Sequence, residues 1–268
     1  MKKLNKGLTY FRYLLDYLIN GDFVSIYSSF RYVRHGASHQ NDRIIHTSIG
    51  TFHCRKNTND FQFANYYYEW GVKKFMLNKK DRFNVFIDGG ACIGDYSILM
   101  SRYMDRCLAI EPMQDNYSAL VENIRLNQLG HKIKTFPVAL GDINSDAYFI
   151  FNPVNTGASF KSPDNKPTPH KAVQQTFDSL WPELGLLPTD KILFKLDIEG
   201  MENEAIRGAR NFILTHPEIT LIVEDKHSGL EQIKKSLSDI AAFEFGFIDD
   251  YNIFARKTGD ATNLKHAI

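Results

Sequence analysis

The 268-residue chain has few cysteines, no long apolar run and almost no net charge. Its cysteines, Cys54, Cys92 and Cys107, are odd in number and lack metal-type spacing, which excludes a disulfide framework and a zinc site and favours a reducing, cytoplasmic environment. The apolar runs are far shorter than the roughly 18 residues that a membrane span needs. Because Lys2 and Lys3 are followed by a mixed segment rather than an apolar block, we expect no signal peptide.

With a net charge of +1, the chain lacks the excess of basic residues that is typical of a nucleic-acid-binding protein, so we predict no nucleic-acid partner. The charge is unevenly distributed, since residues 1–80 hold 13 Lys and Arg but 5 Asp and Glu. Apolar residues at helical spacing over residues 4–19 predict an amphipathic helix with a basic start. We expect its apolar face to pack on the rest of the chain, and the alternative is weak peripheral contact with an anionic membrane.

The spacing of apolar residues divides the chain into three parts. Over residues 1–80 the pattern predicts an extension of helices and one hairpin. After the helix over residues 4–19 come a second helix over Phe23–Val33, a hairpin over Arg43–Arg55 and a helix over Phe63–Trp70. In residues 81–258, strands alternate with helices, which predicts an α/β domain on a doubly wound, mostly parallel sheet. Residues 259–268 form a tail.

Several elements of the α/β part have sequence-predicted bounds. The predicted strands are Val85–Asp88, Cys107–Glu111, Ile133–Leu140, Ala147–Phe151, Lys191–Ile198, Ile219–Glu224, and an antiparallel pair over Glu244–Ile248 and Asn252–Ala255. Asn152–His170 is rich in Pro, Asn and Ser and is predicted as a loop. A helix is predicted over Met201–Leu214.

The strand that ends at Asp88 runs into a turn with three glycines and then into a segment with helical spacing. Such a turn places backbone N–H groups against the polar end of a ligand. Its spacing does not match the dinucleotide fingerprint Gly-x-Gly-x-x-Gly, and no Lys-Ser/Thr pair follows Gly94, which disfavours a nicotinamide site and a phosphate loop. A carboxylate at Asp88 suits a cationic amino group. A turn that serves only helix–strand packing is the alternative.

Acidic side chains also follow three later strands. Glu111 ends the next strand, where a carboxylate can bind both hydroxyls of a ribose. Asp197 ends a strand predicted near the sheet centre and should project into the same crevice. Glu224 and His227 follow the strand after it, so Asp197, Glu224 and His227 are candidate general bases.

Four motifs in this order resemble the FkbM-type methyltransferases: Phe86–Gly94, Ile110–Pro112, Ala139–Asp142 and Lys195–Gly200. The resemblance covers roughly residues 43–257. It implies a Rossmann-like class I S-adenosylmethionine-dependent methyltransferase that acts on a hydroxyl oxygen of a sugar, glycan or related metabolite. Within the first motif, Gly89 replaces a branched apolar residue and Cys92 replaces the family's usual Asn. A catalytically silent scaffold that binds the cofactor or a partner is the alternative.

The resemblance also implies which residues bind S-adenosylmethionine. They are Asp88, Gly89, Gly90, Ala91, Gly94, Glu111, Ala139, Leu140 and Asp142. The turn residues would hold the methionine part and Glu111 the ribose. Asp142, or the backbone of Ala139 and Leu140, would face the adenine.

Two interpretations of the acidic clusters remain open. Glu199 and Glu202 stand at a predicted helix start, where negative charge is favoured by about 0.3–1 kcal/mol, so helix capping accounts for them. We expect no metal. The alternative is Mg²⁺ held by Asp197, Glu224 and Asp225, since that ion prefers carboxylate and substrate oxygens.

Overall fold

The extension contains the helices and hairpin that the sequence predicts, in a computed structural model that describes residues 2–36 and 38–260. Its elements are α1 (Lys2–Ile19), α2 (Phe23–His35), the antiparallel strands β1 (Arg43–His46) and β2 (Thr51–Cys54), α3 (Asp60–Phe63) and α4 (Trp70–Lys79). The side chain of Asp22 caps α2 by accepting a hydrogen bond from the Ser25 amide.

The predicted helix over Phe63–Trp70 is wrong. Residues 64–69 form turns, Glu69 has a left-handed φ of 47°, and α4 begins at Trp70. Tertiary hydrogen bonds replace the helical ones here: the Tyr66 amide donates to Asp16 Oδ2 at 2.9 Å, and Lys73 Nζ donates to the Asn65 carbonyl at 3.1 Å. Local spacing does not reveal such partners.

The rest of the described chain alternates strands and helices. In order, it contains β3 (Val85–Gly89), α5 (Asp95–Met100), β4 (Arg106–Ile110), α6 (Gln114–Leu126), β5 (Ile133–Phe136), β6 (Val138–Leu140), β7 (Ser145–Ile150), β8 (Phe160–Lys161), β9 (His170–Gln175), α7 (Phe177–Leu180), β10 (Ile192–Leu196), α8 (Glu202–Gly208), α9 (Arg210–Thr215), β11 (Ile219–Glu224), α10 (Leu230–Ser238), β12 (Ala241–Phe247) and β13 (Asn252–Asp260). Short 3₁₀ turns cover Lys80–Arg82, Pro163–Asn165 and Trp181–Leu184.

Three predicted elements differ in detail. The strand predicted over residues 133–140 is divided at Pro137, which has no N–H to donate to a ladder, and its halves β5 and β6 belong to different sheets. The helix predicted over residues 201–214 is divided at Ala209 into α8 and α9. The predicted loop 152–170 contains β8, which pairs with β7.

The fold class is confirmed by a seven-stranded sheet in the order β12-β13-β11-β10-β3-β4-β5. The pairs from β11 to β5 are parallel, and β13 runs antiparallel to both β11 and β12. The smaller second sheet has the order β6-β9-β7-β8. Because parallel strands end at one edge, the residues after β3, β4, β10 and β11 lie along the same side of the large sheet.

Alternate residues of the central strands enter two hydrophobic clusters, one on each face of the sheet. Ile87 and Phe194 belong to the cluster that includes α7 to α10. Phe86 and Leu193 belong to the opposite cluster, which also contains Tyr17, Phe52, Phe61 and Met76 of the extension. The extension therefore shares a core with the sheet, and the boundaries at residues 80 and 258 stay predictions. Of the predicted tail, residues 261–268 lie outside the described part of the chain.

Candidate functional site

A cleft opens where the carboxyl ends of β3, β4 and β10 face the smaller sheet. It contains about 510 Å³ of empty space, including its open mouth. Five of the predicted site residues line it, namely Gly90, Glu111, Ala139, Leu140 and Asp197. Cys92, Met113, Asn116, Phe149, Thr156 and Glu199 are among its other lining residues. The sheet topology thus gathers five of the predicted residues around one space.

The glycine turn makes one side of the cleft and requires glycine at position 90. Gly90 has a φ of +83°, and a Cβ there would lie 1.9 Å from the Asp197 carbonyl oxygen. Two loops of the cleft therefore approach at a distance that admits no side chain. Cys92 also has a left-handed φ, of 47°, a conformation that Asn adopts more readily than most residues.

Glu111 joins this turn to the end of β4. Its Oε2 accepts a hydrogen bond from the Cys92 amide and its Oε1 one from the Met113 amide, both at 2.9 Å. Asn116 Nδ2 lies 3.5 Å from Oε1. Burial raises the pKa of Glu111 to about 7, against the lowering effect of these donors. The carboxylate fixes both loops and still lines the cleft.

A buried ion pair supports the cleft from the strand side. Lys195 is 2% exposed, and its Nζ donates to Asp197 Oδ2 at 2.8 Å. Burial lowers the pKa of Lys195, but the carboxylates of Asp197, Glu69 and Asp88 outweigh this and raise it above its ordinary value. The sequence analysis assigned Lys195 no role. The available signal was a lysine inside an otherwise apolar strand, since a buried ammonium needs carboxylate partners.

Asp88 lies at the end of β3 and does not line the cleft. Its Oδ2 accepts a hydrogen bond from Ser97 Oγ at 2.6 Å, whereas its Oδ1 is buried with no hydrogen-bond partner among the described residues. Burial raises the pKa of Asp88 to about 6. An unpartnered buried carboxylate oxygen is costly, and a cationic ligand group would offset that cost.

The loop after β10 corrects the interpretation of Glu199. Glu199 has a left-handed φ of 53° and precedes α8, and its Oε2 lies 3.2 Å from His227 Nε2. Burial raises the pKa of Glu199 to about 7, and the Asp197 charge adds to this rise. Glu202 is the first residue of α8, where negative charge is favoured, and its carboxylate accepts hydrogen bonds from the amides of Ile198 and Gly200 in the preceding loop.

Glu224 and His227 lie behind Glu199 rather than on the lining of the cleft. Among the described residues, the ligand atoms of Glu199, Glu224 and His227 lie within 4.8 Å of one another, whereas Asp197, Glu224 and Asp225 form no such group. Burial raises the pKa of Glu224, and the charges of Asp197 and Glu199 add to the rise. Asp197, Glu224 and Asp225, which the sequence gives as the alternative Mg²⁺ ligands, therefore do not form the group whose ligand atoms lie together.

Besides Asp88, four predicted cofactor residues lie outside the cleft lining: Gly89, Ala91, Gly94 and Asp142. Gly89 packs between strands, since a Cβ there would lie 3.0 Å from Leu196 Cδ2. Asp142 binds Arg207 at 2.8 Å, with its side chain about one-third exposed. A role for Asp142 beside the adenine stays a prediction.

The extension contributes Glu69, which the sequence analysis missed. Its Oε2 accepts a hydrogen bond from Tyr96 Oη at 2.7 Å, and burial together with the Asp197 charge raises its pKa. Lys73 pairs with Asp95 at 3.0 Å, which joins α4 to α5. The sequence offers no local signal for Glu69, because its partners come from β10 and α5.

The extension also holds the loop that covers the cleft. Thr156 donates through its amide to Asn59 Oδ1 at 3.2 Å and through its hydroxyl to Asp60 Oδ1 at 3.1 Å. Asn116 Nδ2 donates to the Thr156 carbonyl at 2.9 Å. Arg55 forms an ion pair with Asp60 at 2.7 Å. Thr156 is 1% exposed, so this side of the cleft is fixed by buried hydrogen bonds.

A family model described as the methyltransferase FkbM domain matches residues 88–253. The chain belongs to this family. The match begins at Asp88 and includes both sheets that form the cleft. Membership in the FkbM family supports methyl transfer with S-adenosylmethionine as the methyl donor.

Solved structures similar to the chain include several methyltransferases. The FkbM methyltransferase of Methylobacillus flagellatus KT is 19% identical, over 65% of this chain and 44% of that one, with a TM-score of 0.46. The tRNA m1G37 methyltransferase of M. jannaschii is 12% identical, over 82% and 57%, with a TM-score of 0.42. M. jannaschii TYW2 in complex with AdoMet is 14% identical, over 83% and 88%, with a TM-score of 0.40. The match thus spans about half the length of the first two structures. No curated protein matches the chain.

The close approach in the FkbM domain makes Gly90 a sensitive position. We expect Gly90→Ala to lower the free energy of unfolding by about 2–5 kcal/mol, because the left-handed φ and the contact with the Asp197 carbonyl both act against a Cβ. Gly130→Ala is the matched control, since its Cβ would meet nothing within 4 Å. Urea unfolding measures both. Equal stability of the two variants would contradict the observed loop contact.

The raised pKa of Asp88 predicts a pH dependence. A carboxyl whose pKa is higher in the folded chain stabilises that state in full below the unfolded pKa, near 4, and loses this effect as the pH rises through about 6. We expect Asp88 to make the free energy of unfolding fall between about pH 4 and 7, and Asp88→Asn to reduce that fall by on the order of 3 kcal/mol. Asp164→Asn, whose side chain is 81% exposed, should keep the wild-type slope. A wild-type stability that rises over this range would contradict the assignment.

Proposed function

We propose that this protein transfers a methyl group from S-adenosylmethionine to a hydroxyl oxygen of a sugar, glycan or related small-molecule metabolite. The observation that carries the proposal is the acidic cleft at the carboxyl ends of β3, β4 and β10, inside a domain of the FkbM methyltransferase family. The three free cysteines, two of them buried, support a reducing, cytoplasmic setting for the reaction.

The residues of the cleft fit the chemistry of the methyl donor. Gly90 leaves bare backbone on one side of the cleft. Asp88 does not line the cleft, but its buried carboxyl group at the start of the glycine turn suits a cationic amino group bound nearby. Glu111 accepts two strong hydrogen bonds but has about four lone-pair positions, which leaves acceptors for ribose hydroxyls. Met113, Ala139 and Phe149 form an apolar cluster at the cleft that suits a flat base.

When bound, S-adenosylmethionine supplies an electrophilic methyl carbon on a positively charged sulfur. The protein's main contribution is then to align the substrate oxygen with that carbon, which is worth on the order of 7–11 kcal/mol in well-oriented reactions. The carboxyl groups of Asp197 and Glu199 line the cleft, where negative charge would favour a cationic donor. Asp197 is held by Lys195, which fixes its position.

Glu199 is the best-placed general base. It lines the cleft, its pKa of about 7 matches neutral conditions, and it contacts His227. During transfer Glu199 would accept the proton of the substrate hydroxyl group, with His227 orienting the carboxylate and Glu224 behind it. Of the bases predicted from the sequence, His227 and Glu224 are thus proposed to position Glu199, and Asp197 is proposed as a fixed carboxylate that faces the methyl donor. The proposal requires no Mg²⁺.

Cofactor binding is tested by calorimetry with S-adenosylhomocysteine. We expect Glu111→Gln to weaken binding at least about tenfold, or ~1.4 kcal/mol, because an amide nitrogen cannot accept from Cys92 or Met113 or bind ribose hydroxyls as a carboxylate does. Glu231→Gln is the matched control, with a side chain that is 80% exposed. Unchanged binding by Glu111→Gln, or no binding by the wild type, would contradict the site.

Catalysis is tested by a screen of nucleotide sugars and oligosaccharides with a labelled methyl donor. With an accepted substrate, we expect Glu199→Gln to lower kcat by about 10²–10⁴-fold while S-adenosylhomocysteine binding stays within about twofold, because a proton acceptor is lost and the binding residues remain. Asp164→Asn serves as the exposed control. Binding without transfer to any acceptor would favour the silent scaffold. Full turnover in Glu199→Gln would assign the base elsewhere.

A further inference from the structure

Helices α1 and α2 present a large apolar surface that the rest of the described chain does not cover. Large hydrophobic side chains that are at least 36% exposed number eleven on these two helices and twelve on the other described residues. Those of the two helices are Leu8, Tyr10, Phe11, Leu15, Leu18, Ile19, Phe23, Val24, Tyr27, Phe30 and Val33. We call them the helical apolar surface. Such concentrated exposure marks an interaction site.

The opposite sides of both helices are held by the core. Tyr17 of α1 and Tyr32 of α2 both pack on Phe61, at ring-centroid distances of 6.3 and 6.5 Å. Tyr17 is 1% exposed, and its hydroxyl donates to the Phe61 carbonyl. Because both helices pack on Phe61, their exposed sides point away from the core of the extension. The expectation that the apolar face of α1 packs on the rest of the chain is therefore wrong, since Leu8, Phe11, Leu15, Leu18 and Ile19 of that face are exposed and the side with Tyr17 packs instead.

The two helices that carry this surface have a basic sequence. Residues 2–36 contain six Lys and Arg, which are Lys2, Lys3, Lys6, Arg12, Arg31 and Arg34. Their two acidic residues are directed inward: Asp16 is 1% exposed and accepts hydrogen bonds from Ser48 and Tyr66, and Asp22 pairs with Arg43. Helices α1 and α2 therefore combine exposed aliphatic and aromatic side chains with a net basic sequence.

No described helix is long and apolar enough to cross a membrane. Helices with a broad apolar face, basic residues and a low overall hydrophobicity lie in the plane of an interface instead. We propose that the helical apolar surface binds peripherally to a bilayer that contains anionic phospholipids. The aromatic and aliphatic side chains enter the headgroup region, and the Lys and Arg residues contact lipid phosphates. This inference does not depend on the proposed methyl transfer.

The test is vesicle co-sedimentation of the full chain. We expect binding to phosphatidylcholine vesicles with about 30% phosphatidylserine and at least about tenfold weaker binding to phosphatidylcholine alone. Binding should weaken between about 50 and 500 mM salt, because salt screens the charge attraction. A folded wild type that does not bind anionic vesicles would overturn the proposal, as would binding that is equal on both kinds of vesicle.

A matched pair of triple variants locates the surface. Phe11→Ser, Phe23→Ser and Phe30→Ser together remove three side chains that are 62–68% exposed, and we expect at least about tenfold weaker vesicle binding. The control combines Leu187→Ser, Phe247→Ser and Tyr251→Ser, which are 55–70% exposed elsewhere, and should bind as the wild type does. Circular dichroism confirms folding of both.

Sedimentation velocity distinguishes a protein partner. A wild-type dimer that the first triple variant converts to a monomer, with no vesicle binding by either, would show that the helical apolar surface joins two copies of the chain and would overturn the proposal. Equal loss of vesicle binding in both triple variants would also overturn it, because binding would then not depend on this surface. A monomeric wild type that binds anionic vesicles supports it.

Discussion

The burial of several carboxyl groups at one edge of a sheet is the constraint on which this structure depends. Asp88, Asp197 and Glu69 surround the ammonium group of Lys195, which lies inside a fully buried strand. Without that cation, the carboxylates would be charged groups with little solvent and no compensating partner, at a cost of several kcal/mol. Lys195 donates directly to Asp197 and packs 4.6 Å from the centre of the Tyr96 ring. The buried Lys195 ammonium group therefore stabilises the carboxylates of the acidic cleft.

The extension completes the site rather than standing beside it. It supplies Glu69 to the buried charges, and Asn59 and Asp60 hold the Thr156 loop over the cleft. It also shares the hydrophobic cluster on one face of the sheet. Its other side carries the helical apolar surface. Helices α1 and α2 are thus joined through one hydrophobic cluster to the segment that holds the Thr156 loop over the cleft.

The family motif and the observed geometry divide the acidic residues by function. Asp197 is the motif residue that first suggested a base, but its carboxylate is bound to Lys195. Glu199 was interpreted as a helix cap, yet its left-handed backbone turns it away from α8 and against His227. Glu202, three residues later, is the first residue of α8 and binds the backbone amides of the loop before it. Two carboxylates of one short motif differ in role because one residue adopts a positive φ.

The sequence by itself determined the fold class, most strand positions and the cleft residues Gly90, Glu111 and Asp197, because apolar runs, a glycine turn and strand-end carboxylates are local patterns that a parallel sheet brings to one edge. Ala139 and Leu140, which also line the cleft, were implied by the family resemblance. The exact bounds of the strand Ile219–Glu224 were also predictable. Only the tertiary structure decided the turns over residues 64–69, the division at Pro137, and the roles of Lys195, Glu199 and Glu69. Each of these depends on a partner distant in the chain, or on a backbone conformation that only packing can impose, and neither leaves a periodic signal in the sequence.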